Sequence, residues 1–383
     1  MVVGWILGQK FLPFRTETFL GKGLGEFTNR PLVWSRANFD GFYYAKIARD
    51  GYQYLQQAFF PFYPKVIKFF QPFFKSFVLS GIFISNICLV CFLWLFAGLL
   101  REEGEDKKTI KQTLLFLVLF PTSFYLGCVY NESLFMLLAL FSFLLAKRKK
   151  WFIAALVAGF ASYTRVIGIF LLPALVYEYY ESESKRTMKL RVVAAKRQII
   201  RFNPKYLIYF FKSRAKHIKN LFFILFSGWG ILRYALYLKE TKGDYFYFIK
   251  VQPDFGAQRS VAKITMLYQV FWRYAKMILT VNQKDPIYFT IWLEILTAIL
   301  FLALLILGWL KFKVHRPWLL FAALSFLLPT LTGTFSSLPR YVLVCFPCFL
   351  VLAKMKLPKF IYLLSGVLLL ICTMMFLRGY WIS

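Results

Sequence analysis

The sequence predicts an all-α polytopic membrane protein. Three observations support this class: 59% of the 383 residues are hydrophobic, the mean hydropathy is +0.58, and apolar runs long enough to cross a bilayer recur along the chain. A span needs about 20 predominantly apolar residues. Because lipid offers no partner to a backbone amide and the runs lack the alternation of barrel strands, each run is predicted to be a helix.

Polar connectors separate eight apolar runs. The runs cover residues 77–100, 110–129, 130–146, 219–238, 287–310, 317–335, 339–353 and 358–377. A further stretch, 151–178, is predicted to form two short helices that break near Arg165 and Gly168, which gives ten spans. Residues 1–14 are apolar but too short to cross, so we expect either an interfacial helix or the end of a span that begins upstream. The expected architecture is one domain over residues 1–383 with about ten or eleven transmembrane helices.

Basic residues flank these spans and account for the formal net charge of +31. Segment 185–219 contains twelve Lys or Arg residues and no acid, and the short connectors around 147–150, 311–316 and 354–359 are also basic. The positive-inside rule therefore places residues 185–218 in the cytoplasm as a basic connector.

Two long segments then fall on the opposite face. They are a first outer loop, 15–76, and a second outer loop, 239–286, both expected to contain interfacial helices. The expected location is a bacterial-type plasma membrane. Because the positive charge borders the spans, membrane lipids are the expected partners and nucleic acid is not.

Common motifs for phosphate, zinc or serine chemistry are missing: the sequence has no HExxH, Walker loop, GxGxxG or GxSxG. The two histidines, His217 and His315, lie in basic connectors, so neither is expected to act as a base or to bind a metal. The CxxC pairs at 88–91 and 345–348 lie inside apolar runs and are predicted to pack within helices. Proton transfer therefore depends on one of the seventeen acids.

Position sets most of these acids aside. Residues 102–106 form a mixed-charge turn, and Glu178, Glu181 and Glu183 lead into the basic connector, so both groups are expected at a solvated surface. The acids predicted on the outer face are Glu17, Glu26, Asp40, Asp50, Glu132, Glu240, Asp244, Asp254 and Asp285, with Glu294 just inside a span. Asp40 and Glu132 have the most unusual surroundings.

Asp40 lies among aromatic residues, immediately before a short amphipathic stretch at 42–49. An interfacial helix would hold this carboxylate at the lipid boundary, where it would be a better base than a hydrated aspartate. The alternative is a helix N-cap, which is the usual role of an aspartate in this position.

Polar motifs elsewhere contain three further candidates. Glu132 lies in the sequence YNES at 130–133, between two apolar runs, where it either marks a binding site or simply forms the turn. Arg165, in TRVIG at 164–168, needs an anion, and Glu132 or a lipid phosphate would serve. Arg340, in LPRY at 338–341, is a second phosphate-binding candidate, with snorkelling as its alternative.

Several motifs occur in a characteristic order along the chain. They are Phe39-Asp40, Ile47-Ala48, Gly51-Tyr52 and AFFPFYP at 58–64, then YNES at 130–133, TRVIG at 164–168 and LPRY at 338–341. In order and spacing they resemble the PIG-V-like mannosyltransferases, bacterial relatives of the second mannosyltransferase of GPI-anchor synthesis, within the GT-C glycosyltransferases. Gly243-Asp244 and Gly379-Tyr380-Trp381 also fit the pattern, whereas Phe39 stands where the family more often has Trp.

The resemblance implies a GT-C-type fold and an inverting transfer of a mannose-type sugar from a polyprenyl-phosphate donor. The acceptor would be a hydroxyl group of a glycan, a glycolipid or a protein. The family places its catalytic acid in the first outer loop, which corresponds to Asp40. Arg165, Arg340 and Lys46 are the candidates for binding the donor phosphate, and Glu132, Tyr43, Tyr44, Tyr63 and Tyr341 are the candidates for contacting substrate.

We expect no cofactor beyond the donor substrate and no metal from the ligand set, while a carboxylate-bound divalent ion stays open. Two other functions also stay open at this point. A transporter or flippase for a lipid-linked sugar would use buried arginines as well, although the chain shows no internal duplication. A non-catalytic subunit of a glycosylation complex would retain the same fold.

Overall fold

A computed structural model describes residues 1–15, 30–197, 218–255 and 264–382. In these ranges the ordered elements are α-helices and 3-10 turns, and no strand occurs. Part of the first outer loop (16–29), part of the basic connector including His217 (198–217) and part of the second outer loop (256–263) lie outside the described residues.

The principal helices follow one another with short connections. They are α1 (Val2–Phe11), α2 (Asp40–Asp50), α3 (Phe62–Phe74), α4 (Phe77–Glu102), α5 (Lys107–Leu119), α6 (Glu132–Lys147), α7 (Trp151–Thr164), α8 (Leu171–Arg197), α9 (Ile218–Lys242), α10 (Leu267–Thr280), α11 (Pro286–Leu310), α12 (Arg316–Thr330), α13 (Leu338–Tyr341), α14 (Pro347–Lys354) and α15 (Phe360–Leu377). The predicted fold class is confirmed: the chain is an all-helical polytopic membrane protein.

Four described helices, α4, α9, α11 and α15, are long and apolar enough to cross a membrane. Helices α7 and α12 are apolar but shorter. The stretch 151–178 breaks where the sequence predicts, because α7 ends at Thr164 and a 3-10 turn, Val166–Phe170, precedes α8. The count of ten spans stays a prediction.

Three of the predicted runs are not continuous helices. Run 317–335 stops at the end of α12, where Pro329 precedes the last helical residue, Thr330. Proline also explains the other two breaks. Run 110–129 stops at the end of α5, because Phe120 takes an extended conformation (ψ 140°) before Pro121, and residues before proline disfavour the α region. Run 339–353 divides into α13, a 3-10 turn and α14. Pro347 lacks an amide proton and occupies the first turn of α14, where none is needed.

One helix of segment 15–76 and the N-terminal helix pack against longer apolar helices. Helix α3 is amphipathic and buries Tyr63 and Ile67, both 0% exposed, in a small apolar core shared with α2 and α4. Helix α1 lies against α15, where a side chain at Gly4 would collide with Thr373. The larger core, built from α4 to α15, holds the segments that carry the candidate residues in place.

Charges predicted to face the cytoplasm gather at one end of the bundle. Lys147 Nζ lies 2.6 Å from Glu103 Oε1, and Lys354 Nζ lies 2.6 Å from Glu105 Oε1. Glu132 begins α6 and Lys147 ends it, so the 16 residues of this helix separate the two by about 24 Å. Glu132 therefore lies at the opposite end of the bundle from this charged group.

The expectation that Glu178 lies at a solvated surface is wrong. Glu178 is 7% exposed, and its carboxylate pairs with Nε2 of His315, the residue that precedes α12. Helices α8 and α12 pack together at the charged end of the bundle, and this packing encloses the acid and the imidazole.

Candidate active site

Asp40 is the first residue of α2, and it does not cap the helix. The N-cap position belongs to Phe39, which makes no side-chain cap bond and has a positive φ of 55°. Such a conformation in a non-glycine residue costs about 1–3 kcal/mol and must be held by its surroundings. The Phe39 ring packs edge-on against Trp381 at 5.0 Å, and Asn38 Nδ2 donates to the Phe376 carbonyl at 2.8 Å. The N-cap alternative for Asp40 is therefore wrong.

Gly41 allows α2 to approach the turn that precedes α6. A Cβ atom at this position would lie 3.1 Å from the Val129 carbonyl oxygen and 3.4 Å from the Tyr130 ring. The Tyr130 hydroxyl donates to the Asn38 carbonyl at 2.8 Å. These contacts bring the first residues of α2 and α6 together, so Asp40 and Glu132 become neighbours.

Glu132 begins α6 and is 1% exposed. Its Oε1 accepts a hydrogen bond from Arg165 Nη1 at 2.6 Å, and the same nitrogen donates to Asn131 Oδ1 at 3.0 Å. Asn131 Nδ2 in turn donates to the Thr164 carbonyl at 3.0 Å. The YNES turn and the TRVIG break therefore form one hydrogen-bonded unit, and Glu132 is the anion that Arg165 needs.

The break at Arg165 depends on close backbone packing. Arg165 is extended, with φ −152° and ψ 147°, between α7 and the 3-10 turn. At Gly168, a Cβ atom would lie 2.4 Å from the Ser162 nitrogen and 2.5 Å from the Ala161 carbonyl carbon. Because those atoms are backbone and cannot move aside, only glycine allows the chain to fold back and present Arg165 to Glu132.

Arg340, at α13, lies between the two acids. Its Nη1 donates to Asp40 Oδ2 at 2.6 Å, and its Nε lies 3.5 Å from Glu132 Oε1. The residue is 4% exposed, which rules out snorkelling. Its guanidinium carbon lies 5.0 to 5.5 Å from three tyrosine ring centroids, those of Tyr125, Tyr130 and Tyr341.

Asp40, Glu132, Arg165 and Arg340 thus form one charge-neutral group, which we call the ion-pair cluster. Asp40 is its most exposed member, with 19% of its side-chain surface accessible compared with 12% for Arg165, 4% for Arg340 and 1% for Glu132. Oε2 of Glu132 is buried and has no hydrogen-bond partner among the described residues.

Sequence reasoning missed three residues of this region, Asn131, Tyr125 and Tyr130. Asn131 and Tyr130 belong to the YNES motif, so that motif was the available signal. Tyr125 stands in an apolar run and gives no signal, because its contact with Arg340 arises only when α13 packs near the turn before α6.

The other residues proposed from the sequence lie around the cluster or away from it. Burial and the negative charge of Asp40 raise the pKa of the Tyr43 hydroxyl. Burial, reinforced by Glu132, raises the pKa of Tyr44. Tyr341 lies between the two arginines, with its ring 5.2 Å from the Arg165 guanidinium carbon.

Tyr63 and Lys46 have other contacts. The Tyr63 hydroxyl donates to the Gly81 carbonyl at 3.1 Å and bonds Ser85 Oγ at 2.8 Å, so it anchors α3 to α4. Lys46 Nζ lies 5.8 Å from the Phe42 ring centroid, and no described contact joins it to the ion-pair cluster. Substrate contacts of both residues stay predictions.

Within the described ranges, no group of three or more His, Cys, Asp or Glu side chains is arranged to hold a metal ion. Cys345 and Cys348 are both buried, and Cys348 lies within α14 as the sequence predicts. Cys345 lies between a 3-10 turn and α14 rather than within a helix, and its thiol donates to the Ala322 carbonyl at 3.4 Å.

Comparison with known proteins adds one further observation. Residues 61–188 match the model of glycosyltransferase family 87. This stretch is about a third of the chain and contains Glu132 and Arg165, while Asp40 and Arg340 lie outside it. The match indicates a glycosyltransferase, and it does not single out the PIG-V-like mannosyltransferases. No curated protein and no solved structure matches the chain.

Proposed function

We propose that this chain transfers a mannose-type sugar from a polyprenyl-phosphate donor to a hydroxyl acceptor on the non-cytoplasmic face of the membrane, with inversion at the anomeric carbon. The family 87 match supports the glycosyltransferase class. The observation that carries the more specific proposal is the ion-pair cluster. It gathers two carboxylates and two guanidinium groups at one end of a helical bundle, opposite the charges predicted to face the cytoplasm.

Asp40 is the catalytic base in this proposal. Of the two clustered acids, only Asp40 is accessible to an acceptor, since Glu132 has 1% of its side chain exposed. As the acceptor oxygen attacks C1 of the sugar, the bond from C1 to the phosphate oxygen breaks and the hydroxyl proton moves to the Asp40 carboxylate. The leaving group is a stable phosphate, so no general acid is required, unlike in a glycosidase.

Charge balance indicates how the donor would enter the cluster. The two acids and two arginines sum to zero, so a donor phosphate adds a negative charge to a partly buried, neutral group. In this structure Arg340 Nη1 lies 2.6 Å from Asp40 Oδ2. A phosphate oxygen of the donor therefore replaces Asp40 as the acceptor of this hydrogen bond. Arg340 then stabilises the leaving phosphate, and the released carboxylate is free to accept a proton.

Glu132 fixes both arginines and contributes a substrate contact. Its Oε1 holds Arg165 and Arg340, while its buried Oε2 is without a partner among the described residues. A buried acceptor without a donor is costly. In the proposed complex, the shift of Arg340 toward the donor phosphate uncovers this oxygen, and a hydroxyl group of the sugar then donates to it. No cofactor takes part beyond the donor.

Replacement of Asp40 tests the proposed base. Purified Asp40→Asn protein, incubated with a radiolabelled polyprenyl-phosphate mannose and a membrane lipid extract, is expected to lose transfer by roughly 10²–10⁴-fold. Asp50→Asn is the matched control, since Asp50 ends the same helix and pairs with exposed Arg49. Activity of Asp40→Asn equal to that of the wild type would remove the base. Movement of donor across vesicles with no labelled acceptor product would instead favour the transporter.

The membrane face has its own test. In a variant whose native cysteines are replaced by serine, Tyr54→Cys in the first outer loop, at a position 70% exposed, is expected to react with a membrane-impermeant maleimide added to intact cells. Lys149→Cys, in the exposed turn after α6, is expected to react only after permeabilisation. The reverse pattern would place the cluster on the cytoplasmic side and overturn the proposed orientation.

A further inference from the structure

A second buried acid lies outside the ion-pair cluster. Glu294 is in α11, one of the four described helices that can span a membrane, and is 4% exposed. An ionisable side chain inside such a helix is expensive and usually has a specific partner. Here the Tyr274 hydroxyl, from α10 of the second outer loop, donates to Glu294 Oε2.

Tyr274 also contacts the segment that precedes Arg340. Its hydroxyl accepts a hydrogen bond from the Phe335 amide at 3.2 Å and lies 3.3 Å from Thr334 Oγ1. Burial and the charge of Glu294 raise the Tyr274 pKa, so the phenol keeps the proton that it donates. Acid, phenol and backbone amide form one chain of hydrogen bonds, in which each bond polarises the next.

The contacted segment, residues 331–337, needs such support. It contains two positive φ angles, 91° at Gly333 and 68° at Ser337, and the second is unusual for a residue with a side chain. Helix α10 and Thr265, two residues before it, hold the segment at other points. Arg273 Nη1 donates to the Gly333 carbonyl at 2.9 Å, and the Thr265 amide donates to the Leu331 carbonyl at 3.1 Å.

We propose that Glu294 and Tyr274 are positioning residues for Arg340, which makes the second outer loop part of the phosphate-binding machinery. The inference rests on the proposed function, since it assigns Arg340 to the donor phosphate. The segment held by Tyr274 leads directly into α13, where Arg340 stands between Asp40 and Glu132. A displacement of about 1 Å in such a group can cost roughly a hundredfold in rate.

A double-mutant cycle tests this link through binding rather than catalysis. The probe is a fluorescent polyprenyl monophosphate, titrated into purified protein in detergent. Tyr274→Phe and, separately, Glu294→Gln are expected to weaken binding roughly tenfold when Arg340 is present, and less than about twofold in an Arg340→Ala background. Coupling arises because the removed hydrogen bonds matter to the phosphate only through the guanidinium group.

The matched control is Ser142→Ala. It also removes one buried hydroxyl bond, from Ser142 Oγ to the Ala154 carbonyl at 2.9 Å, but within the α6 and α7 pair and away from the segment before Arg340. It is expected to leave the dissociation constant unchanged in both backgrounds. Tyr274 and Glu294 belong to different helices, so the two variants test the link independently if one of them folds poorly.

Each outcome decides the proposal. Equal weakening by Tyr274→Phe with and without Arg340, or no binding of the polyprenyl phosphate to the wild type, overturns the positioning role. Coupled binding together with an absence of sugar transfer would leave the positioning role standing and remove the proposed function. As a second readout, Tyr274→Phe is expected to lower kcat for transfer more than it raises the donor KM, since Arg340 acts mainly on the leaving phosphate.

Discussion

Ion pairs at the two ends of helix α6 use the same kinds of residues in opposite surroundings. In the ion-pair cluster, the side chains of Glu132 and Arg340 are 1% and 4% exposed. At the other end, the side chains of Lys147 and Glu103 are 31% and 26% exposed. Exposed pairs contribute about 0–1 kcal/mol, whereas removing one partner of a buried pair costs about 3–5 kcal/mol. Burial, rather than residue type, therefore separates the ion-pair cluster from the charged surface at the other end of α6.

The two groups also differ in what they connect. Lys147 and Glu103 are 44 residues apart in the chain, whereas Arg340 and Asp40 are 300 residues apart. The cluster forms only after the first outer loop, the turn before α6 and α13 have all packed together. Four pairs of variants test this difference, and each pair compares a buried or closely packed residue with a less constrained control residue.

Glu132→Gln is expected to have the largest effect. It leaves Arg165 and Arg340 without their shared anion, so we expect a loss of transfer of roughly 10²–10³-fold and a destabilisation of about 3–5 kcal/mol. The measurements are the labelled-donor assay and thermal unfolding in detergent. Glu103→Gln, at the exposed end, is expected to cost less than about 1 kcal/mol and to retain activity. Similar costs for both variants would contradict the contrast in burial.

Arg165→Lys is expected to have the next largest effect. The planar guanidinium holds both Glu132 and Asn131, and lysine cannot reproduce that geometry, so transfer should fall roughly 10- to 100-fold. The measurement is kcat/KM for the labelled donor. Arg148→Lys is the control, because the Arg148 side chain is 58% exposed and its pair with Glu102 is long, at 3.5 Å. An active Arg165→Lys enzyme would show that only the positive charge matters there.

Gly168→Ala tests the backbone contact that presents Arg165. The new methyl group would meet backbone atoms of α7 at 2.4 to 2.5 Å, so we expect a destabilisation of about 1–3 kcal/mol and a parallel loss of activity. Gly98→Ala is the control, because Gly98 lies within α4 and a Cβ there would have no neighbour within 4 Å. That variant should gain up to about 1 kcal/mol from its helix propensity. Equal melting temperatures would refute the close approach.

The smallest effect is expected from pH at the charged end. Burial by itself lowers the pKa of His315, but the hydrogen bond and charge of Glu178 outweigh it and raise the pKa above 6.5. Because the folded pKa is raised, the stabilisation is fully present below about pH 6.5 and is lost as pH rises through the folded value. The melting temperature of the wild type should therefore fall over this range.

In His315→Asn that fall should flatten, because asparagine does not titrate. The control is Lys354→Gln, which breaks a partly exposed ion pair that contains no histidine. Its melting temperature, measured over the same pH range, should fall with the slope of the wild type. An unchanged slope in His315→Asn would show that another group titrates.

Particular residues show what the sequence could and could not predict. Gly168, three positions after Arg165, signals the chain reversal that breaks segment 151–178, and the structure has this break. Pro121 and Pro347 also give local signals, but averaging hydrophobicity over long windows hides them, and two predicted spans are divided as a result. Glu178 was assigned to the surface because it precedes a basic segment, yet packing of α8 against α12 buries it.

The sequence by itself determined the all-helical membrane class and the residue types from which a sugar-transfer site can be built. These follow from hydropathy, charge placement and short motifs, all of which are local properties of the chain. Only the tertiary structure decided that Asp40 pairs with Arg340 rather than capping α2, that Glu132 serves two arginines, and that Glu294 supports the segment before Arg340. The reason is physical: the pairing of a buried charge depends on which distant segment packs beside it, and spacing along the chain does not encode that distance.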